Sequence, residues 1–548
     1  MLVDPILQLE KQNPQAPCLY RLQGDQWISF SRADVIDAVR RLCTQWQTDG
    51  LKSGQRILVL MENRPEWAVT AVACNRYGLV LVPAYTTHQE HEIEYLLDKS
   101  QASAVVTSVG ELSDRLKSID SASQILWYTA DDQSKILFHN LTQRNDKLVP
   151  NQDPDSLYAL IPTSGTNGQP KLVELTQNNI FANVTSILTV LRDAEIDQPH
   201  RFLSFLPLAH AYEHMAGLYL PLHLGGEIFY CERLDKLATL MADIKPTLMT
   251  AVPRLYELLY GRITAQVTKS GRLKQKIFQT AINLGNQSKL TLKDHCTNWI
   301  CERLVRNKVR KRFGGRLQYF VSGGAALNPE ISRFFKGLGV GILQGYGQTE
   351  ASPVISVNRP GSARAETVGP ALPEVEVRLT DEGELIVRGK NVMRGYWQDP
   401  KATQATIRDG WLYTGDLAEI DPDGHIRIVG RLKDLIVNSG GDNIAPAPIE
   451  QEITIYPEVD QVIVVGDGKP SLSALICLNS EFETADPQTT IASVLKRYNG
   501  SKPPLLQVRK GLLLNEPCTI ENGLLTPTQK IKRSLVVKHY QEAIDALY

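Results

Sequence analysis

The sequence predicts an α/β fold, with a large N-terminal domain of two α/β subdomains plus a β-rich subdomain, followed by a small α+β C-terminal domain. Apolar runs at 57–61 and 79–85 flank a helical stretch near the start of the chain. A second alternation of strands and helices runs from about 202 to 343, and short alternating strands begin at about 375. The chain of 548 residues exceeds a single core, so at least two domains are expected.

The first α/β block is predicted from strand and helix signals in direct succession. The apolar runs at 57–61 and 79–85 are typical of buried strands. Between them, Asn63 and Pro65 predict a helix start with Asn63 as its cap. This order and spacing predict a parallel βαβ unit with helices on both sheet faces, and 104–107 is a further candidate strand.

The later elements follow from the same signals. Further strands are predicted at 203–207, 226–230, 319–326, 384–388 and 461–465. The strand at 319–326 ends in a turn of small residues, and 421–424 predicts a hairpin turn. Beyond Lys433 the pattern predicts a compact α+β tail.

Composition excludes several classes of protein. The net charge of −1 argues against nucleic acid as the main partner, since such proteins usually carry a basic face. The N-terminus shows no signal peptide, and no run of about 18 apolar residues predicts a membrane span. Eight cysteines without CxxC pairs suit a reducing compartment, so a cytoplasmic location is expected. The sequence leaves open whether the protein is a monomer or a homodimer.

A basic helix is predicted between Trp299 and Phe313. We interpret its Lys and Arg side chains as a solvated face that covers an apolar packing stripe. The stripe comprises Ile300, Leu304, Val305 and Val309. The alternative is a helix that lies on a membrane surface, as a peripheral contact.

The segment 163–171 carries the strongest chemical signal. A predicted strand at 157–161 leads into a loop with three hydroxyls, two glycines and Lys171. Glycines let backbone N–H groups approach an anion, and the lysine adds a positive charge for phosphate oxygens. The spacing differs from a Walker loop, because Gly168 stands three residues before the lysine. The alternative for the loop alone is a plain surface turn.

Four further motifs follow this loop in a fixed order. They are Gly345-Tyr346-Gly347-Gln348-Thr349-Glu350, Tyr413-Thr414-Gly415-Asp416, Gly430-Arg431-Leu432-Lys433-Asp434 and the C-terminal segment 525–533 with Lys530. With the loop, this set resembles the adenylate-forming superfamily of acyl-CoA synthetases, peptide-synthetase adenylation domains and luciferase. The resemblance implies a two-step reaction. A carboxylate first attacks the α-phosphorus of ATP and releases pyrophosphate, and a thiol then attacks the mixed anhydride and releases AMP.

The resemblance also implies roles for particular residues. The phosphates of ATP would be wrapped by Thr163, Ser164, Gly165, Thr166, Gly168 and Lys171. Glu350, with Thr166, would hold Mg²⁺, while Thr349 would contact the α-phosphate and Lys530 would reach both reacting groups. Adenine would lie against Tyr346, Gly347 and the turn Gly323-Gly324-Ala325. Asp416 would accept the ribose hydroxyls, with Arg431 assisting. No general base is required, since the attacking carboxylate is already ionised.

The resemblance further implies a mobile C-terminal domain. The expected domains are 1–432, which would bind ATP and the acyl group, and 433–548, with the hinge at Lys433. Rotation there between the half-reactions would withdraw Lys530 and open a channel for the pantetheine thiol of CoA. The turn that contains Gly440 would pass beside that channel, where a residue without Cβ allows close approach.

Several segments resemble the long-chain fatty acyl-CoA synthetases in particular. These are 206–210, 252–257, 321–327, 410–416 and 439–446. His210 would lie near the acyl carboxylate, although a histidine after a strand is as often structural. The expected activity is therefore ligation of a long-chain fatty acid to CoA. The acceptor and the chain length stay open.

The phosphate loop and its surroundings depart from the family pattern at three positions, Asn167, Leu172 and Gln177. These departures leave open a degenerate, non-catalytic binder of nucleotide or fatty acid. A second alternative is another enzyme of the same fold: an acyl–acyl-carrier-protein synthetase, a fatty acyl-AMP ligase, or a medium-chain or aryl-CoA synthetase.

Overall fold

The computed structural model describes residues 1–123, 125–131, 137–145, 153–163, 169–194, 196, 200–231, 236–287, 289–480, 482, 484, 486–526 and 529–548. Along these ranges the chain alternates strands and helices as far as residue 357, and short strands dominate after it. The fold class predicted from the sequence is confirmed.

The first α/β block precedes residue 194. Its elements are α1 Asp4–Gln12, β1 Pro17–Gln23, β2 Gln26–Ser31, α2 Arg32–Thr48, β3 Arg56–Leu60, α3 Pro65–Tyr77, β4 Val80–Ala84, α4 Glu90–Ser100, β5 Ala102–Ser108, α5 Glu111–Lys117, α6 Asp120–Ser123, β6 Leu126–Ala130, β7 Leu157–Thr163, β8 Lys171–Thr176 and α7 Gln177–Asp193.

The second block contains two short π-helical turns, at His214–Tyr219 and Glu302–Arg306. Its other elements are β9 Arg201–Ser204, α8 Ala211–Glu213, α9 Leu220–His223, β10 Glu227–Tyr230, α10 Leu237–Ile244, β11 Leu248–Ala251, α11 Pro253–Thr268, α12 Arg272–Asn286, α13 Leu292–Cys301, α14 Asn307–Arg312, β12 Tyr319–Ser322, α15 Pro329–Gly337, β13 Gly341–Gly347, a 3₁₀ turn Thr349–Ala351 and β14 Val354–Val357.

The remaining elements are mostly short strands. They are β15 Val375–Leu379, β16 Glu384–Gly389, β17 Gly395–Tyr396, α16 Pro400–Thr406, β18 Ile407–Arg408, β19 Trp411–Ile420, β20 Ile426–Arg431, a 3₁₀ turn Leu432–Asp434, β21 Ile436–Val437, β22 Asn443–Ile444, α17 Pro446–Ile453, β23 Val459–Val465, β24 Leu472–Leu478, α18 Pro487–Asn499, a 3₁₀ turn Pro504–Leu506, β25 Val508–Leu513, α19 Arg533–His539 and α20 Gln541–Asp545.

Two large sheets form the N-terminal part. One has the strand order β17-β8-β7-β4-β3-β5-β6, and the other β14-β13-β12-β11-β9-β10-β1-β2. Strands β3, β4 and β5 pair in parallel, as do β9 to β13 where they are neighbours. The parallel βαβ unit predicted from the first apolar runs is confirmed by β3, α3 and β4.

The β-rich part forms a third sheet, of β15, β16, β19, β18 and β20. Beyond it, β23, β24 and β25 form a separate three-stranded sheet with helices α17 and α18 packed on it. Ile453, Val464, Ile476 and Val494 are fully buried in that core. The C-terminal segment therefore has a hydrophobic core of its own.

Asn63 does not cap α3, contrary to the sequence prediction. Arg64 occupies the N-cap position, since Pro65 takes the first helical position. The Asn63 amide instead donates to the Leu206 carbonyl at 2.6 Å and accepts from the Leu208 N–H at 3.0 Å. Asn63 thus joins the two α/β blocks, and this tertiary pairing outweighs its local capping preference.

The basic helix also differs from its predicted packing. Ile300 and Leu304, assigned to the buried stripe, are 45% and 46% exposed. Val305 and Val309 do pack inward, as predicted, but Arg306 shares their face and is 5% exposed. Its guanidinium donates to the carbonyls of Gly337 and Ala281 and to the Asn298 side chain, so an arginine fills part of the packing stripe. Across the described ranges, no helix is both long and apolar enough to cross a membrane.

Candidate active site

Three strands bring sequence-distant polar groups together. Strand β13 carries Tyr346, and the two antiparallel strands β19 and β20 carry Asp416 and Arg431. The pairing of β19 with β20 sets Asp416 opposite Arg431. The three side chains meet although they belong to three separate motifs.

Asp416 is the centre of this group and is 3% exposed. The Tyr346 hydroxyl donates to its Oδ2 at 2.6 Å, and Nε of Arg431 donates to its Oδ1 at 2.8 Å. The neighbouring carboxylate raises the pKa of Arg431. Burial and then the charge of Asp416 hold the pKa of Tyr346 well above its usual value, so Tyr346 stays a neutral donor. The result is a fixed acceptor with both oxygens already oriented.

Lys530 approaches this group from the C-terminal segment. A bridge between Leu525 and Ile531 shapes its loop, and the backbone N–H of Lys530 donates to the Thr526 hydroxyl at 3.0 Å. The residue is exposed, yet desolvation by the surrounding protein and the charge of Arg431 lower the pKa of Lys530 to about 8, although Asp416 opposes this shift. The Lys530 ammonium is therefore close enough to Arg431 and Asp416 to interact with both electrostatically.

His210 also lies within electrostatic range of Lys530, and it caps the short helix α8. Its Nδ1 accepts from the Tyr212 N–H at 3.2 Å, which leaves the ring proton on Nε2. Burial and then the positive charge of Lys530 lower the pKa of His210 to about 3. The imidazole is therefore neutral at physiological pH and can donate a hydrogen bond from Nε2, but it has little capacity as a base.

A second cluster joins Lys171, Tyr396 and Glu350. The Lys171 ammonium lies 4.5 Å from the centroid of the Tyr396 ring, and the Tyr396 hydroxyl donates to Oε1 of Glu350 at 2.8 Å. Burial and Glu350 raise the pKa of Tyr396. Thr163 stands opposite Lys171 in the β7–β8 pair. A lysine, a hydroxyl and a carboxylate thus converge beside the end of β7.

The remaining residues of the phosphate loop, Ser164, Gly165, Thr166, Asn167 and Gly168, lie outside the described residues. The other two departures from the family pattern are described. Leu172 lies on β8, between β7 and β17 in the sheet, and its side chain is buried in the core. Its carbonyl accepts from the backbone N–H of Trp397. Gln177 is also buried and donates to the Ser156 hydroxyl at 3.0 Å. Both side chains are held within the fold.

Glycines shape two surfaces near Tyr346. Gly324 adopts a φ of +87°, in the left-handed region that favours glycine. Gly323 packs on the Tyr212 ring, which would lie 3.0 Å from a Cβ placed there. At Gly347 a Cβ would overlap the Pro353 carbonyl. Ala325 is exposed next to this turn. Because the glycines place no bulky side chain over the backbone at this turn, a planar ligand ring could lie against it.

Gly440 is not part of these clusters in this structure. Its N–H donates to the Asn438 side chain at 2.9 Å, and the neighbouring Ser439 N–H donates to the Lys469 carbonyl. These bonds lie within the C-terminal segment. Lys433 sits in the 3₁₀ turn between β20 and β21, at the connection between the two parts.

A buried carboxyl supports the helix behind His210. Glu213, fully buried, accepts from the Ser204 hydroxyl at 2.7 Å and from the Thr250 hydroxyl at 2.9 Å. Burial raises the pKa of Glu213 to about 7. A Cβ at Gly217, one turn along, would overlap this carboxylate. Glu213 therefore ties α8 to β9 and β11 and requires glycine at 217.

Sequence reasoning missed Tyr396 and Glu213. Tyr396 gains its position because β17 pairs with β8, a contact between segments more than 200 residues apart that no local pattern marks. Glu213 is a charged residue inside an apolar stretch, a signal that could have been followed, since a carboxyl buried there needs partners.

Among the described residues, no cluster of three or more His, Cys, Asp or Glu side chains could hold a metal by itself. Glu350 offers one carboxylate. This fits Mg²⁺, which usually binds through one or two carboxylates together with substrate phosphates.

Comparison with known proteins places this arrangement in a family. Residues 8–397 match the AMP-binding enzyme family, and residues 433–548 match the AMP-binding enzyme C-terminal domain. The long-chain-fatty-acid–CoA ligase FadD15 of Mycobacterium bovis is 31% identical, with 99% of this chain and 96% of that protein covered. The peroxisomal long chain acyl-CoA synthetase 6 of Arabidopsis thaliana is also 31% identical, over 96% of this chain and 82% of its own.

Solved structures show the same fold. The structure of ATP-bound MatB from Rhodopseudomonas palustris superimposes with a TM-score of 0.77 at 24% identity, and covers 99% of this chain and all of its own.

Proposed function

The chain belongs to the AMP-binding enzyme family, and we propose that it is a long-chain fatty acid–CoA ligase. In this proposal it forms acyl-AMP from a fatty acid and ATP with release of pyrophosphate, and then transfers the acyl group to CoA with release of AMP. The observation that carries the proposal is the likeness, over nearly the whole chain, to enzymes named as ligases of this kind. The meeting of Lys530 with Asp416 and Arg431 supports the first step.

The nucleoside of ATP would bind at Asp416. Its two carboxylate oxygens are oriented by Tyr346 and Arg431, and they are suited to accept the two ribose hydroxyls. The turn at Gly323, Gly324 and Ala325 and the backbone at Gly347 would face adenine.

The phosphates would bind at the end of β7. Lys171 supplies a cation beside Glu350, and the loop from Thr163 to Gly168 supplies hydroxyls and backbone N–H groups. Glu350, with Thr166, would hold Mg²⁺, which offsets phosphate charge when it is bound. Tyr396 would orient Glu350 through its hydroxyl.

The first step needs positioning more than proton transfer. The fatty acid carboxylate is ionised at neutral pH, so the protein must hold two anions together and balance their charge. Lys530 would place its ammonium between the carboxylate and the α-phosphate, while Thr349 contacts the same phosphate. His210, neutral and protonated at Nε2, would donate to the acyl carboxylate.

The second step requires Lys530 to leave. We assign the domains to 1–432 and 433–548, with a hinge at Lys433 between β20 and β21. Rotation there would bring the Gly440 turn to the site and admit the CoA thiol, which attacks the acyl carbon and displaces AMP. The separate core of the C-terminal segment supports such rigid-body rotation.

A cytoplasmic location belongs to the same proposal. Seven of the eight cysteines are buried, and in the part of the chain that the structure describes none of them forms a disulfide, as expected in a reducing compartment.

Pyrophosphate release tests the proposal. The purified protein is assayed with ATP and Mg²⁺ across fatty acids of graded length, with CoA, with acyl carrier protein, and without an acceptor. Turnover that needs CoA and is fastest with long chains is expected. Turnover that prefers carrier protein or ignores CoA would identify one of the related synthetases. Absence of pyrophosphate release with every acid tested would identify a non-catalytic binder.

A further inference from the structure

The helices between β11 and β12 carry a large excess of basic over acidic residues, unlike the rest of the chain. Residues 253–313 contain fourteen Lys and Arg against three Asp and Glu, whereas the whole chain has 59 and 60. A nearly neutral protein therefore concentrates positive charge on one helical module. Such a concentration creates a local attraction for an anionic partner.

Large apolar side chains are exposed on the same module. Leu292 is 89% exposed, Trp299 63%, Ile300 45% and Leu304 46%. They lie on α13 and on the π-helical turn that follows it. A tryptophan and three aliphatic residues in one exposed stripe are unusual on a surface that only water contacts.

The opposite face of this helix is firmly packed, so the orientation of the stripe is fixed. Cys301 is 1% exposed, and Arg306 is held by its three hydrogen bonds to Gly337, Ala281 and Asn298. Rotation of the helix to bury Trp299 would expose Arg306 and break these bonds. The apolar stripe is therefore presented outward by the fold itself.

Free cations border the stripe. Lys293, Lys308 and Lys311 are exposed, and in the described part of the chain none of them pairs with a carboxylate. The carboxylate of Glu302 is engaged by Arg310 and Arg306, while the Arg303 guanidinium lies 5.6 Å from the Trp299 ring centroid. The cations are thus available to an external anion.

We propose that the outward face of α13 and α14 docks on an anionic lipid bilayer. Trp299, Ile300 and Leu304 would enter the boundary between headgroups and acyl chains, and the three lysines would contact lipid phosphates. A nucleic acid would satisfy the cations but leave the aliphatic side chains in water. The combination of both features favours a membrane. This surface lies outside the ligase site and does not rest on its activity.

Vesicle co-sedimentation tests the docking surface. The full-length protein is mixed with vesicles of phosphatidylcholine alone or of phosphatidylcholine with phosphatidylglycerol. The test variant carries Lys293→Gln, Lys308→Gln and Lys311→Gln. The matched control carries Lys11→Gln, Lys52→Gln and Lys496→Gln, three exposed lysines elsewhere on the chain. A soluble polyanion, heparin, is added in a parallel arm.

Binding to the anionic vesicles is expected, with an affinity that falls as salt rises. The test variant should bind about a hundred-fold more weakly, since each basic residue near an anionic surface contributes roughly a five-fold factor. The control should match the unmodified protein. Brominated lipid should quench tryptophan fluorescence, and Trp299→Phe should remove most of that quenching.

Three outcomes would overturn the docking proposal. They are no binding to anionic vesicles, equal weakening by the control variant, or tight heparin binding without vesicle binding, which would indicate a nucleic acid surface. All variants should keep the thermal unfolding temperature of the unmodified protein, which shows that they fold.

Discussion

The hydroxyl of Tyr346 donates to the carboxylate of Asp416 at 2.6 Å, a bond between the third sheet and the strand β13 of the second. Arg431 holds the other oxygen of the same carboxylate. This relationship links two sequence motifs into one acceptor, and the proposed ribose site depends on it.

Asp416→Asn should weaken ATP binding. The amide keeps the shape of the side chain but removes the charge that Arg431 pairs with, and one of its ends becomes a donor. Hydrogen bonds to a charged group contribute about 1.5–3 kcal/mol, so KM for ATP should rise by about ten- to a hundred-fold. Steady-state pyrophosphate release measures this change. Asp381→Asn, on an exposed turn, should leave KM unchanged.

The adenylation step should lose rate at alkaline pH. The pKa of Lys530 is lowered to about 8, so its ammonium becomes a neutral amine as the pH rises past that value. Since the cation is the form proposed to act, kcat/KM for ATP should fall above about pH 8. The arginine of Lys530→Arg stays charged over this pH range, so kcat/KM of this variant should not fall above about pH 8, whatever its absolute rate. An identical alkaline limb in Lys530→Arg would assign it to another group.

Tyr396→Phe should reduce the apparent affinity for Mg²⁺. The substitution removes the hydroxyl that donates to Glu350 but keeps the ring beneath Lys171. Loss of a residue that orients a metal ligand typically weakens binding about ten- to a hundred-fold. A Mg²⁺ titration of pyrophosphate release measures the effect. Tyr77→Phe, which loses a comparable bond to the Leu51 carbonyl, serves as the control and should titrate normally.

Gly217→Ala should destabilise the protein, although alanine favours helices more than glycine does. Its Cβ would overlap the Glu213 carboxylate. Overpacking of this kind costs about 1–3 kcal/mol. Gly261→Ala in α11 meets open space and should be neutral or stabilising. Thermal unfolding compares the two, and the clash is confirmed if Glu213→Ala removes the penalty of Gly217→Ala in a double-mutant cycle.

Stability should fall between about pH 4.5 and pH 7 because of Glu213. Burial raises the pKa of this carboxyl from 4.5 to about 7, so in that window the folded protein holds a proton that the unfolded chain has released. The stabilisation is complete below pH 4.5 and is lost as the pH rises through about 7. Across this pH window the free energy of unfolding should fall by about 3 kcal/mol.

Glu213→Gln mimics the protonated acid and should lack this pH dependence. Its unfolding temperature relative to the unmodified protein should therefore rise from pH 5 to pH 8. A constant difference over this range would show that Glu213 keeps an ordinary pKa.

The strands could be predicted from the sequence where burial is continuous. The apolar runs that became β3, β4 and β23 gave their positions to within about two residues, because strands covered on both faces show unbroken hydrophobic sequence. The cap at Asn63 was wrong, since its amide found partners in a segment more than 140 residues away. Helix-capping patterns in the local sequence give no information about such long-range contacts.

The candidate site could be assembled from motifs only in part. The motifs supplied Asp416 and Arg431, but the strand pairing that sets them face to face came from the structure. The sequence also could not show which side of the basic helix packs inward. Ile300, expected to be buried, is exposed, whereas Arg306 is buried through contacts with α12 and α15.

The most direct measurement follows the adenylate itself in a single turnover. Enzyme, radiolabelled ATP, Mg²⁺ and a long-chain fatty acid are mixed without CoA, and CoA is added later. Acyl-AMP should accumulate and then be consumed as acyl-CoA appears. Lys530→Ala should form no acyl-AMP, yet it should still make thioester from supplied acyl-AMP. Acyl-CoA that appears without the adenylate would contradict the two-step reaction, and an adenylate formed at the normal rate by Lys530→Ala would contradict the role of Lys530.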